Sequence, residues 1–559
     1  MRITVLRDQS TRGYFPWMLA FGILLNLPGL WLDIMEPDGA LYATIAKHIV
    51  LSGDWINLIG DGHDWLDKPH LPFWIAAASF KLLGITSFAY KLPAFICWLI
   101  GLRYIYLTAS YLFKSDVAKL SVLIYVVALH SVLANFDVRA EPYLTTCIIA
   151  AIWHLLGIYT GKNWSHIPAS AFFMACAVMV KGIFALVIIG SGWVIFWILS
   201  KKWEQFTNYK WWVALGLCLT FILPELLSLY VQFDMHPEKI VFGKTHVSGL
   251  RFFFWDSQFG RFFNTGPIKG KGDVFFFLHT TLWAFLPWSV GLIGGLVYLI
   301  GYEKQFIQIR WVIYGCALVS FIIFSLSRFQ LPHYIIIVFP YLSMITAHYF
   351  LSIAAHPVLK YFVWMQTGLL LATGLLIIAL LYSTGINTAV LATAVTIIIV
   401  IAANTVPTEN LLVKLVCKGY ATAAIIYVFL FFFFYPFLLK YQSGRRAAAH
   451  IPASESLIPT AAYKSFSYTF EFYAPGNVRL INQRKELAQY LNNRPCYLYT
   501  TRQIADSIQH AGIEMEILAR VDHFHITKLK KDFLTPKSRR GVLEARCLLY
   551  FGSKHLVKY

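Results

Sequence analysis

Long apolar stretches, nearly free of charge, recur from Tyr14 to Lys440 and are separated by short polar ones. Their spacing predicts helices over 14–34, 91–113, 117–134, 141–160, 168–181, 183–199, 210–231, 273–300, 311–326, 331–349, 359–382, 387–403 and 418–440. Most are long enough to cross a bilayer, and backbone groups in hydrocarbon must be paired internally, so the fold class is an all-α polytopic membrane bundle of about thirteen transmembrane helices. The stretch 73–84 is too short to span and reads as a re-entrant or interfacial helix. After Tyr441 the texture changes. Ser465–Tyr473 and Val478–Ile481 read as strands, Arg484–Leu491 as a helix, and Cys496–Tyr499, Gly512–Leu518 and Arg546–Phe551 as strands. The chain thus divides into a transmembrane part, 1–440, and a small C-terminal α/β domain, 441–559.

Composition supports this division. Of 559 residues 58% are hydrophobic and 13% charged, and the mean hydropathy is +0.61. A soluble fold cannot bury that much apolar surface. Tyr14–Leu32 is too long for a signal-peptide core and lacks a small-residue cleavage site. The net charge of +19 does not indicate nucleic acid, because from Gly444 onward 18 Lys/Arg stand against 9 Asp/Glu, and a basic tail beside a membrane suits anionic lipid headgroups. Arg2, Arg7, Arg12, Lys114, Lys119, Lys162, Lys201, Lys202, Lys210, Lys304, Arg310, Lys360, Lys414 and Lys418 place the N-terminus and every second loop in the cytoplasm. The loops 36–72 and 232–272 and the tail then lie on the opposite, outer side. Six cysteines sit in apolar segments as packing residues; Cys496 and Cys547 share the tail, where a disulfide between them is left open.

On the outer side, polar residues gather where apolar ones would be expected. The first loop carries Glu36, Asp38, Lys47, Asp54, Asp61, Asp64, Asp67 and Lys68; Asp137-Val138-Arg139-Ala140-Glu141-Pro142 joins two helices; 232–272 holds Lys244, His246, Arg251, Asp256 and Arg261; and Ser327 to Tyr334 forms the fourth group. Lys181 is isolated in apolar sequence. An ionisable residue there is a functional candidate, with snorkelling as the simpler alternative. A basic cluster of Lys68, Lys181, Arg251 and Arg261 at the lipid boundary suits the phosphate of a lipid carrier. Asp38, Asp67 and Glu141 suit a general base or a metal site. His246 reads equally as an ordinary loop histidine, and Asp54, Asp61 and Asp64 as solvated loop residues.

The run Asp38-Gly39-Ala40-Leu41-Tyr42-Ala43, then Ser52-Gly53-Asp54-Trp55, then Asp67-Lys68-Pro69-His70-Leu71-Pro72-Phe73-Trp74 resembles the first outer loop of lipid-carrier-dependent GT-C glycosyltransferases. The likeness continues through Lys91-Leu92-Pro93, Val180-Lys181-Gly182, His246 with Arg251, and Leu331-Pro332-His333-Tyr334. It is nearest to the bacterial transferases that add aminoarabinose to lipid A, and more distantly to the protein O-mannosyltransferases. The resemblance implies inverting sugar transfer from a polyprenyl-phosphate-linked donor to a lipid A-like, glycan or protein acceptor at the outer face of the inner membrane. It puts Asp38 at the essential acidic position, Lys68, Arg251 and Tyr334 on the donor phosphate, Glu141 and Lys181 in the cavity, and Asp67 with His246 at a divalent metal, zinc or manganese. Three positions depart from the pattern: Gly39 where Glu is common, Asp67 for Glu, and Glu141 for Asp. A transporter or flippase of a charged lipid-linked sugar is the alternative, but transporters place charge near the midplane and carry repeats, and neither is seen here.

Overall fold

The computed structural model describes residues 10–302 and 307–552; Arg2, Arg7 and Lys304, used above for orientation, lie outside them. Among the described residues seven helices are long and apolar enough to cross a membrane: Gly13–Leu30, Ser87–Leu112, Glu141–Tyr159, Tyr209–Asp234, Pro332–Ser352, Val358–Thr384 and Leu411–Leu439. The pair Ser115–Val126 and Leu129–Phe136, bent by 53°, makes an eighth if counted as one span. At that break the Leu129 N–H donates to Leu286 O at 2.9 Å, so a neighbouring helix end satisfies the freed donor. The expected helix 273–300 is likewise two, Phe276–Ala284 and Ser289–Gly301, parted at Pro287, which cannot donate to the helical ladder. The remaining apolar helices run 10–17 residues, shorter than a straight crossing needs.

The first loop is more ordered than its polar sequence suggests. Asp38–Ser52 is a helix buried along most of its length, followed by a small hairpin pairing Ile59–Gly60 with His63–Asp64, and then the helix Leu71–Leu83. Gly53, at φ 74°, ends the first of these helices in a left-handed cap.

Beyond Lys440 five strands form one sheet, in the order Val478–Ile481, Thr460–Tyr463, Cys496–Thr501, Glu544–Phe551, Glu516–His523. The first three are parallel and the last two pair antiparallel. The expected strand Ser465–Tyr473 is instead a helix, Tyr468–Tyr473, capped by the Ser467 side chain on the Phe470 N–H. Its apolar residues alternate because the helix is covered on two sides: Phe470 packs against the sheet, and Phe472 joins the core of the membrane bundle. The helix Arg502–His510 was not anticipated. Cys496 and Cys547 are both free, on adjacent strands but four positions apart in register, opposite Phe551 and Thr500. At about 3.4 Å per residue that offset is beyond a disulfide's reach.

Candidate functional site

All four polar stretches meet at one end of the bundle. Gln232 brackets Leu58, accepting from its N–H at 3.1 Å and donating to its carbonyl at 2.9 Å, while Lys239 pairs with Asp64 at 2.9 Å. The Arg328 N–H donates to Phe262 O at 3.3 Å. Gly270 and Gly272 lie so close to the backbone at 327–329 that a Cβ would approach it at 2.5 and 2.4 Å. Gly182, at φ 104°, leaves room for Gln258, whose amide donates to Lys181 O at 3.3 Å.

These contacts enclose a cavity of about 320 Å³. Its charged and phenolic lining is Asp67, Lys68, Lys181, Glu225, Arg261 and Tyr334; its walls are mostly apolar, with Phe184, Val187, Phe259, Phe263, Ile323 and Phe324 prominent. Asp67 is held between two cations, Lys68 at 2.6 Å and Arg261, whose guanidinium also lies 5.6 Å from the Phe329 ring. Burial pushes the Asp67 carboxyl up, but Lys68 and Arg261 outweigh it and hold it below the usual range. Burial lowers Lys68 in turn, with Asp67 opposing. Lys181 pairs with the buried Glu141 and stands 3.7 Å over the Tyr334 ring.

From Glu141 a chain of polar contacts leads out to Asp38. His333 Nε2 is 3.7 Å from Glu141, His333 Nδ1 is 3.1 Å from Arg139, and Arg139 pairs with Asp38 at 2.7 Å and Asp137 at 2.8 Å. Asp38 and Glu141 each open a helix, where the positive end of the backbone dipole favours a carboxylate. Arg139 sits beside both. Burial pushes the Asp38 carboxyl above the ordinary range, only partly offset by Arg139. A Cβ at Gly39 would come within 2.9 Å of Asp137 Oδ1, the end of a side chain that would then have to shift.

Of the residues singled out from sequence, Asp67, Lys68, Lys181 and Tyr334 line the cavity, Glu141 touches it through Lys181, and Asp38 connects through Arg139 and His333. Two are not brought in. Arg251 is 76% exposed, 3.8 Å from Asp256, although its neighbours Phe252 and Phe253 line the cavity. His246 is exposed in a tight turn at φ 58°, its N–H donating to Pro237 O at 2.8 Å. The donor set does not fit a metal. Asp67 already has a cation on each oxygen, His246 is exposed, and among the described residues no three His, Cys, Asp or Glu side chains group as a metal site. Sequence reading underrated Arg261 and assigned no role to Arg139 or His333, although all lie in the polar stretches it picked out. It also missed Glu225, fully buried, which accepts from the His70 N–H and contacts His70 Nδ1, both at 3.0 Å. A carboxylate inside an apolar run was the available signal.

A membrane bundle with this polar end and an appended sheet is a GT-C fold. A crystal structure of ArnT from Cupriavidus metallidurans bound to undecaprenyl phosphate superposes with a TM-score of 0.75 over 97% of this chain and 98% of that one, at 16% sequence identity. The sequence profile described as dolichyl-phosphate-mannose-protein mannosyltransferase matches residues 67–227. Among curated proteins, the undecaprenyl phosphate-alpha-4-amino-4-deoxy-L-arabinose arabinosyl transferase of Pseudomonas aeruginosa PAO1 is 24% identical over 346 residues, and that of Enterobacter sp. strain 638 is 25% identical over 379. The matched stretches cover 59% and 66% of this chain, and 58% and 65% of those relatives, less than two thirds of their length. In fold and in sequence the chain is similar to GT-C glycosyltransferases of the aminoarabinose-transferase type.

Proposed function

We propose that this chain is an integral-membrane glycosyltransferase that moves a sugar from a polyprenyl-phosphate donor to an acceptor hydroxyl on a lipid, glycan or protein at the outer face of the inner membrane. The observation that carries the reading is the cavity, where Lys68, Lys181, Arg261 and Tyr334 face apolar walls. In this reading the phosphate displaces the carboxylate partners of those cations and takes their charge-assisted hydrogen bonds. Arg251, exposed next to the lining residues Phe252 and Phe253, attracts the anion from solvent. The acceptor hydroxyl attacks C1 of the sugar and Asp38 takes its proton. The C1–O bond breaks on the opposite face, so the configuration inverts, and the leaving phosphate's new charge falls on Lys68 and Arg261. Phosphate is already a good leaving group and needs no strong acid.

The thirteen crossings and the outer placement of the tail belong to this proposal. They are supported by which segments meet. The first loop, the 137–141 turn, Gly182, the 232–272 segment and the 327–330 turn are joined by the contacts above, the tail meets the first loop where Ser467 Oγ donates to Glu36 Oε1 at 2.7 Å, and Arg539 donates to Thr384 O at 2.6 Å. Those are alternate connections of the series, as thirteen crossings require. The bent pair and five of the shorter apolar helices bring seven spans to thirteen; Leu71–Leu83 is the one left over. A flippase would need a path through the bundle, whereas the charges sit at one end. The test is transfer of a mass-tagged sugar from polyprenyl phosphate to an acceptor in membrane extracts. Sugar-bearing acceptor is the expected product; movement of intact lipid across the bilayer without transfer would overturn the proposal.

A further inference from the structure

The segment that leads into Asp38 is gripped almost atom by atom from the far end of the chain. The Ile34 N–H donates to Tyr473 Oη at 2.8 Å, and Gln442 spans Met35, its amide donating to Ile34 O at 2.7 Å while its oxygen accepts from the Glu36 N–H at 2.9 Å. Glu36 Oε1 then accepts three hydrogen bonds, from Ser467 Oγ at 2.7 Å and from the Thr469 N–H and Oγ1 at 2.8 Å each. Two turns into the following helix, Lys47 Nζ is buried and capped by the carbonyls of Glu471, Phe472, Ala474 and Gly476 at 2.6–3.2 Å. Asp38 lies between these two anchors. On its other side it pairs with Arg139.

We infer that the C-terminal region is a clamp for the reacting group: Ser467 and Thr469, acting through Glu36, set the position of Asp38 in the outer site. The inference rests on the reading of Asp38 as the base. A mere docking surface would need apolar area, which Phe472, Phe524 and Phe533 already supply against the bundle. A half-buried carboxylate held by three donors two residues before Asp38 adds rigidity at that point instead, because each bond fixes direction as well as distance. Glu36 and Thr469 are thus positioning residues, touching neither the cavity lining nor Arg139.

The experiment is a double-mutant cycle in full-length protein, with transfer from polyprenyl-phosphate sugar as readout. Glu36→Ala is expected to lower kcat by roughly 10- to 100-fold, the scale of a misplaced reacting group, with KM for the donor within about twofold. Glu36→Gln, which keeps an acceptor oxygen, restores most of the loss. In an Asp38→Asn background neither Glu36→Ala nor Thr469→Val lowers turnover further, because the group they position is gone. Should Glu36→Ala fail to fold, Thr469→Val, which removes one of the three bonds at nearly constant volume, carries the same cycle with a smaller effect. Equal losses with and without Asp38, or a rise in KM at unchanged kcat, overturn the clamp. So does normal kcat in Glu36→Ala when Asp38→Asn is crippled. Normal turnover in Asp38→Asn by itself would instead remove the reading of Asp38 on which the clamp depends.

Discussion

Asp38 carries the sharpest expectation. Its carboxyl is pushed above the usual range by burial, with Arg139 pulling the other way. A base must be deprotonated to act, so kcat should fall as pH drops through that raised value, and the acid limb should lie above that of an exposed aspartate near 3.8. Asp38→Asn should cost two orders of magnitude or more in turnover and abolish the limb, a typical effect of losing an acid–base group. A pH–rate profile of both proteins checks this, and an unchanged limb in the variant assigns it to another group. For the donor phosphate, Lys68→Ala and Arg261→Ala each remove charge-assisted bonds of about 1.5–3 kcal/mol, so binding of polyprenyl phosphate should weaken roughly 10- to 150-fold. Arg251→Ala, at an exposed position, should cost less and in a salt-dependent way. If titration shows Lys68→Ala and Arg261→Ala binding like the unmodified protein, the phosphate sits elsewhere. Asp38, Lys68, Glu141 and Lys181 were legible from sequence because a charge next to a long apolar run is conspicuous. The weight of Arg261 over Arg251 was not, because ten residues of winding helix decide which of two arginines turns inward.

At the scale of elements, the site is assembled by buried polar ties that no local pattern announces. His70 and Glu225 join the start of Leu71–Leu83 to the helix at 223–229. Burial works against charge on His70, but the Glu225 carboxylate more than compensates and raises its pKa. A histidine whose folded pKa is raised contributes stability that is complete below its unfolded value, near 6.5, and is lost as pH rises through the folded value. Thermal stability in detergent should therefore decline as pH rises from 6.5 through the raised folded value by a component that Glu225→Gln removes. A variant that keeps the whole decline would show that other groups cause it. Element boundaries were readable where apolar runs are long, as at Glu141–Tyr159 or Val358–Thr384, and were lost where tertiary contacts intervene. Pro287 splits one run, and Tyr468–Tyr473 alternates like a strand because two cores cover it. Lys91 shows the same limit: fully buried, it reaches the carbonyls of Gly29 and Leu32 at 2.9 and 2.7 Å and serves packing, although its sequence context resembled the site.

Over the whole molecule, the decisive feature is that the tail and the first loop are one body. Phe472, Phe524, Ile526 and Phe533 belong to the same apolar core as the bundle, and the clamp holds Glu36, two residues before Asp38, and Lys47, nine residues after it. Whatever side of the membrane the site faces, the tail faces it too. The opposite end of the bundle is knit separately, with Phe113 against His348 at 4.9 Å, Lys162 over Tyr111 at 5.1 Å, and Trp197 against Trp211 at 4.8 Å. This geometry gives relative sidedness without using charge, and the proposed outer site adds to it the absolute sense expected from the lysine and arginine bias of the short loops. Single cysteines at exposed positions in the 232–272 segment and in the tail should then react with an impermeant thiol reagent applied to intact cells, while cysteines beside Lys162 and Lys202 should react only after the membrane is opened. The native cysteines are buried or half-buried and give a low background. Labelling of the tail and the 232–272 segment from opposite sides would break the single-body arrangement, and with it the clamp. Labelling of both from the cytoplasm would preserve the architecture but turn the active site to the other face, where sugar transfer would have to precede export of the product.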